Sequence, residues 1–247
     1  MRGLLATLER ELRAYYFSPL GWALLTLVLV VNGGVFWVLV SFLSAPGTPA
    51  SATPLEYFFG QTVFFWLVLL FVAPILTMRL IAEERKSGTI EVLMTAPISE
   101  GQVVAGKYLA AFIFYLSLWL PSLIYAAILA AYSEVDWGPV ASGYLGVLGV
   151  GALFLAVGVF ASSLARNQIV AALATFAMLM AFFSFGMLEG LFETPWLKDA
   201  LGYMNLWQHM EDFSRGIVDS RRLVFYASAT LLFLFLASRS LEAKKWR

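Results

Sequence analysis

Along most of this chain the apolar positions do not alternate with polar ones; they run unbroken for the width of a membrane. Six such runs occur, at roughly 20–43, 60–78, 105–132, 139–164, 169–188 and 223–240, and no Asp, Glu, Lys or Arg falls in their apolar centres. A bilayer core of about 30 Å needs about 20 residues of helix at about 1.5 Å per residue, so each run predicts a membrane-crossing helix. The breaks between them are polar. Ala45-Pro46-Gly47-Thr48-Pro49 predicts a turn-rich loop, Glu83-Glu84-Arg85-Lys86 a charged one and Arg166-Asn167-Gln168 a short polar one. No internal repeat or low-complexity tract interrupts the pattern. The predicted fold is an all-α polytopic membrane protein, one six-helix transmembrane domain over 20–247 preceded by an interfacial segment over 1–19.

That first segment has its own pattern. Leu4, Leu5, Leu8, Leu12, Tyr15 and Tyr16 recur on one helical stripe, with Arg2, Glu9 and Arg13 off it. The spacing predicts an amphipathic helix in the membrane interface, serving either as a plain anchor or as a contact for a partner. It is not a cleavable signal, because the apolar run begins only near Leu20, after Glu9, Arg10, Glu11 and Arg13, and is too long for a signal core. The fifth connection, 189–222, also predicts structure: Thr194 as N-cap with Pro195 at the first helical position and Gly202 as a stop, then a second helix over Leu206–Ser214 ending at Gly216. Trp196, Leu201, Tyr203, Leu206, Trp207, Met210 and Phe213 are too apolar for a free solvent loop, so these helices are expected in the outer leaflet. Pro74 and Pro121 predict helix kinks. Gly143, Gly146, Gly149 and Gly151, extended by Ala152 and Ala156, predict a close helix approach, within the chain or across a dimer face.

Composition narrows the function. The 247 residues are 61% hydrophobic and 13% charged with zero net charge, which gives no electrostatic basis for a nucleic-acid partner. There is no cysteine and one histidine, His209, so disulfides, thiolate sites and histidine-rich metal sites are excluded from this chain alone. Of the 16 Lys and Arg residues, twelve lie on the side of the termini and four (Lys198, Arg215, Arg221, Arg222) on the other. That asymmetry predicts cytoplasmic N- and C-termini, with the Arg221-Arg222 pair as its exception.

Functional chemistry concentrates between Ala82 and Lys107. The second helix is expected to run past the bilayer into Glu83–Lys86 and stop at Gly88, with cations in its last turn. Thr89 can cap a short helix through Met94 that Pro97 closes, and Ser99-Glu100-Gly101-Gln102 has capping-box spacing. A short helix held between two protruding membrane helices suits pressing against a cytoplasmic partner; a structured loop without one is the alternative.

This stretch, E-E-R-K-S-G-T-I-E-V-L-M-T-A-P-I-S, resembles the signature of type-2 ABC permeases. The resemblance extends to E-L-R-A-Y-Y-F-S-P-L-G-W near the N-terminus, S-L-A-R-N-Q-I-V-A-A at Ser163–Ala172 and the late F-S-R-G-I-V-D-S-R-R. The last motif looks most like the permease subunit associated with bacterial gliding motility, with the nitrous-oxide-reductase maturation permease a near relative. The resemblance implies that Glu83, Glu84, Arg85, Gly88 and Thr89 form an ATPase-docking region, with Ile90, Glu91, Leu93 and Met94 in a coupling helix, within a cytoplasmic loop over 79–104. It makes Glu9–Tyr16, with Arg13 and Tyr15, an interfacial elbow, and places Phe213, Arg215, Gly216 and Asp219, with His209 nearby, in an external re-entrant region over 189–222. It further implies a multi-pass protein of the bacterial inner membrane, a dimer with a second copy or paralogue, and a separate cytoplasmic ATPase that holds the ATP and Mg, with this chain binding no cofactor. Auxiliary membrane or periplasmic subunits fit the same pattern.

Other classes fare worse on the residues themselves. Gly106-Lys107 is followed by Tyr108, so there is no P-loop. Apolar helix centres without ionisable residues disfavour a secondary transporter, and no filter pattern marks a channel. Neither His-Glu-x-x-His nor Gly-x-Ser-x-Gly occurs, and His209 with Glu211 and Asp212 lacks a nucleophile or second ligand. The chain is therefore expected to be no enzyme. A non-transporting scaffold that anchors a motility or secretion assembly is the competing reading, and a lipid-like cargo is preferred to a small ion.

Overall fold

In the computed structural model, residues 2–45, 53–88, 98–189 and 194–245 are described. All regular structure among them is helical. Helix α1 (Arg2–Tyr16) precedes α2 (Pro19–Leu43); α3 (Pro54–Glu56) leads into a wide π turn at Tyr57–Gln61, then α4 (Val63–Thr77) and α5 (Ala82–Lys86). After the 89–97 segment come α6 (Glu100–Trp119), a 3-10 turn at Leu120–Ser122, α7 (Leu123–Tyr132), α8 (Trp137–Leu164), α9 (Gln168–Leu188), α10 (Pro195–Tyr203), α11 (Leu206–Ser214) and α12 (Ser220–Lys245). Six stretches are long and apolar enough to span a bilayer: α2, α4–α5, α6–α7, α8, α9 and α12.

The helices start where polar caps allow. Ser18, Thr62, Ser99, Asp136, Asn167 and Asn205 each accept a backbone N–H from the first turn of the helix that follows, satisfying donors that the helix cannot. Pro121 sits in the 3-10 turn that separates α6 from α7, so the expected kink is a short change of winding. Pro74 lies inside α4, and the second span breaks just beyond it, over 78–81.

Burial sorts the spans into centre and rim. The apolar windows of α4–α5 and α8 are 67% and 72% buried, against 22% for α2, 17% for α9 and 22% for α12. The outward faces are apolar: Trp37, Phe64, Phe71, Leu173 and Phe235 are all more than half exposed, as suits helices set in hydrocarbon. Helix α8 carries the core. Its glycines receive side chains of this same chain: Gly143 faces Phe59, Gly146 faces Met210 and Phe213, Gly149 faces Tyr226 and Gly151 faces Tyr115. The small-residue surface is thus a packing surface within the chain.

Helix α1 departs from the expected stripe. Thr7, Glu11 and Tyr15 are its buried residues, flanked by half-buried Leu4, Leu8 and Leu12, whereas Leu5 is 58% and Tyr16 36% exposed. The face is rotated because α1 packs along α6 of its own chain, where Gly106 lets the backbone of Leu4 and the Thr7 side chain come close. A protein surface, unlike a lipid one, can accept the polar Thr7 and Glu11.

Candidate functional site

At the end of the bundle that carries the termini, three elements converge on one ammonium group. Lys107 stands on α6 about 10 Å beyond its start and is only 1% exposed. Its Nζ donates to Glu11 Oε1 of α1 at 2.7 Å and lies 2.9 Å from Glu84 Oε1 of α5. Arg10 Nη2 closes the ring, donating to Glu11 at 2.7 Å and to Glu84 at 2.5 Å. Burial alone would push the Glu11 carboxyl up, but Lys107 and Arg10 together hold it below the usual carboxylate value. Glu11 therefore carries its charge at neutral pH. Removing Lys107 or Glu11, the buried members, costs on the order of 3–5 kcal/mol, while replacing a whole buried network by apolar residues is often neutral; stability by itself gives no reason for charge here.

Around this cluster α1 is pinned twice more to the second span. The Tyr15 hydroxyl, buried and kept neutral because desolvation raises its pKa, donates to the Leu76 carbonyl at 2.6 Å. Arg79 Nη2 donates to the Ala14 carbonyl at 2.9 Å and its guanidinium stacks over the Tyr15 ring at 4.7 Å. The break at 78–81 leaves Ile81 and Ala82 without helical acceptors, and Ser162 Oγ of α8 accepts both N–H groups at 3.2 and 3.1 Å. Helix α5 then ends at Gly88, whose φ of +73° is a left-handed stop that a side chain would strain. On the return side, Ile98 packs on the first turn of α1: a Cβ at Gly3 would lie 2.9 Å from Ile98 Cγ1. Helix α1 thus lies across both feet of the 89–97 segment.

The residues expected to dock a partner divide accordingly. Glu83 is exposed at the tip of α5, as is Lys86. Glu84 belongs to the ion cluster. Arg85 caps the far end of α8, donating to the carbonyls of Ser163 at 2.7 Å, Leu164 at 3.2 Å and Ala165 at 2.6 Å, where a cation meets the negative end of a helix. Thr89, Ile90, Glu91, Leu93 and Met94 lie outside the described residues. On α1, Glu9 and Arg13 form an exposed ion pair one turn apart, and Tyr16 meets Phe114 edge-on. Lys107 and Glu11 carry no mark in the sequence beyond charge; an ammonium two residues past the start of the 105–132 apolar run was the available signal.

The opposite end of the bundle holds a second polar arrangement. Helix α11 inserts between α8, α9 and the π turn, reaching Gly146, about 13 Å in from the start of α8. Phe213 is fully buried and its carbonyl accepts from Ser142 Oγ at 2.6 Å. Gly60, at φ +89°, lets the π turn meet Met210, and its carbonyl accepts from Trp66 Nε1 at 2.9 Å. His209 is 2% exposed, with Nδ1 3.3 Å from the Tyr226 hydroxyl. Glu211 and Asp212 turn away to Arg215 and Arg222, so the three do not form one cluster. Desolvation, reinforced by the Arg222 charge, lowers the His209 pKa to about 4. Arg222 also donates to the carbonyls of Gln208 at 2.9 Å and His209 at 3.1 Å, and so holds α11 to the last span. Gly216 turns the chain at φ +87°, and Asp219 Oδ1 caps α12 by accepting Arg221 N–H at 2.8 Å.

Fold and site together define a polytopic α-helical membrane protein with a rigidified foot around one intracluster lysine on its terminal side. Residues 6–215 match the model of the ABC-2 family transporter proteins. The chain belongs to that family, as a membrane-embedded permease of the ABC transporter class; no curated protein matches it.

Proposed function

We propose that this chain is the transmembrane permease subunit of an ATP-driven exporter in a bacterial inner membrane, with both termini in the cytoplasm. A separate cytoplasmic ATPase holds the ATP and Mg and docks on the 79–104 region, where Glu83, Glu84, Arg85 and Gly88 lead into Thr89–Met94. The permease works as a dimer with a second copy or a paralogue. The late F-S-R-G-I-V-D-S-R-R motif supports a gliding-motility subfamily, and the apolar helix centres favour a lipid-like or partly hydrophobic cargo over a small ion.

The observation that carries the reading is α1 straddling both feet of the 89–97 segment, through Glu84 on one side and Ile98 on the other. A load applied there reaches the second and third spans through packed helices and ion pairs. The test is gentle purification from native membranes with mass spectrometry of co-purifying proteins, repeated with Glu83→Arg. Glu83 is the informative position because it is exposed, whereas reversing Glu84 would also break the permease's own ion cluster. A P-loop ATPase recovered with the native chain and reduced about fivefold to tenfold by Glu83→Arg supports the docking site. An ATPase unaffected by the change keeps the function and moves the site; no ATPase alongside other retained partners favours the non-transporting scaffold.

A further inference from the structure

We infer that Lys107 is the positioning residue that makes the elbow helix, the end of the second span and the third span move as one body when the ATPase engages. The inference rests on the permease reading above and names the residue through which that site would act.

Three observations carry it. Among the described residues, Lys107 is the only Lys or Arg that is buried, and it stands about 10 Å from the start of a spanning helix, where a buried ionisable group needs a specific partner. Its two carboxylate partners come from two other elements, Glu11 from α1 and Glu84 from α5, so one ammonium ties three elements that are not covalent neighbours at that point. Among the described residues, Tyr15 and Arg79 hydrogen-bond α1 to the second span, with Tyr15 meeting the third span by stacking on Phe114, and Arg85 joins α5 to α8. Without the Lys107 ammonium, α6 keeps its packing against α1 but loses its ionic tie to α5. Motion of the α5 end could then be absorbed between the second and third spans.

The charge balance also separates coupling from folding. Arg10 and Lys107 face Glu11 and Glu84, two cations against two anions. Lys107→Met alone leaves an extra negative charge in the cluster. Glu11→Gln combined with Lys107→Met restores balance, with Arg10 facing Glu84, and still removes the tie to α6. Lys107→Arg keeps the charge and the donors.

The chain has no cysteine, so a single Tyr132→Cys substitution reports on the far end of the third span, where Tyr132 is 89% exposed. The full permease–ATPase complex carrying Tyr132→Cys is treated with ATP and vanadate, and maleimide uptake on the permease is measured by mass spectrometry, in parallel with ATP hydrolysis. In the complex with Lys107 intact, nucleotide trapping is expected to change uptake. In Glu11→Gln/Lys107→Met the ATPase still co-purifies and hydrolyses within about twofold of the parent, while the far-end response falls at least fivefold; Lys107→Arg restores most of it. The inference is overturned if the double variant responds like the parent. It is overturned equally if hydrolysis, ATPase binding and response fall together in a chain that melts like the parent, which makes the cluster a docking element, or if the parent complex turns over ATP with no far-end response. Failure of any ATPase to co-purify with the parent sinks the permease reading itself and is seen before any variant is compared.

Discussion

At the residue scale, the far end of the molecule depends on an uncharged His209. Its folded pKa of about 4 lies below the ordinary 6.5, because burial beside Phe225 and Tyr226 and the nearby Arg222 charge both oppose protonation. Above about pH 6.5 the folded and unfolded chains bind the same number of protons there. Between 6.5 and 4 the unfolded chain takes up a proton that the folded chain refuses, so stability falls as pH drops, by about 2 kcal/mol at pH 5. Thermal unfolding in detergent, followed by tryptophan fluorescence, should therefore show a melting point about 5 °C lower at pH 5 than at pH 7.5, and His209→Gln should flatten most of that slope. Asp219 opposes the shift only weakly. Glu11 acts in the same sense but in a lower pH window. Its carboxyl is held low by Lys107 and Arg10, so its contribution is present above the usual carboxylate range and disappears only in stronger acid. An unchanged melting point between pH 7.5 and 5 would show that His209 is not desolvated as its surroundings require.

At the element scale, the second span is two helices joined by an irregular turn, and its rigidity depends on a side chain from another helix. Ser162 Oγ on α8 accepts the N–H groups of both Ile81 and Ala82, which the break after Thr77 would otherwise leave buried without acceptors. Ser162→Ala should cost about 1–3 kcal/mol locally and speed hydrogen exchange in the 80–84 peptide while leaving α12 peptides unchanged. Equal exchange in both chains would mean that the turn is held by other contacts. This element was half legible beforehand. Gly88 and the cations of Glu83–Lys86 marked the end of the helix correctly, and Pro74 marked the region of irregularity. The break itself was not legible, because nothing in the run from Thr77 to Ala82 signals a turn; it is stabilised by Ser162, distant in sequence. The same limit explains α1. Its leucines gave the helix, but a partner helix with Gly106 at the contact turned Glu11 inward and left Leu5 outside.

At the scale of the whole molecule, the basic residues put most of the positive charge at one end of the bundle, with Lys107 inside it and Arg222 at the opposite end. That asymmetry predicts orientation, and the lack of cysteine makes the prediction simple to test. On intact cells a membrane-impermeant maleimide should label Tyr132→Cys but not Phe17→Cys, which is 85% exposed at the terminal end; permeabilised cells should label both. The reverse pattern would place the termini outside and remove the cytoplasmic docking site. Arg222, one of the Arg221-Arg222 pair that is the exception in the charge count, is explained by structure: it pairs with Asp212 and donates to carbonyls of α11, so it is consumed in packing and is not free to anchor a cytoplasmic loop.

The amino-acid sequence by itself determined the number and order of the spans, the two short helices of the fifth connection, and the glycine surface of α8. Those features depend on local quantities: apolar run length against bilayer thickness, caps, and stops such as Gly88 and Gly216. It could not assign the glycine surface to the side chains that fill it, bring Glu11 and Glu84 onto one ammonium, or give Arg85 and Arg222 their carbonyl partners. Each of these joins groups tens of residues apart, and a charge seen alone in a sequence reads the same whether water or another helix will receive it. Burial decides between the two, because an ion removed from water must find its counter-charge, and only the packing of α1, α5 and α6 brings that counter-charge within reach.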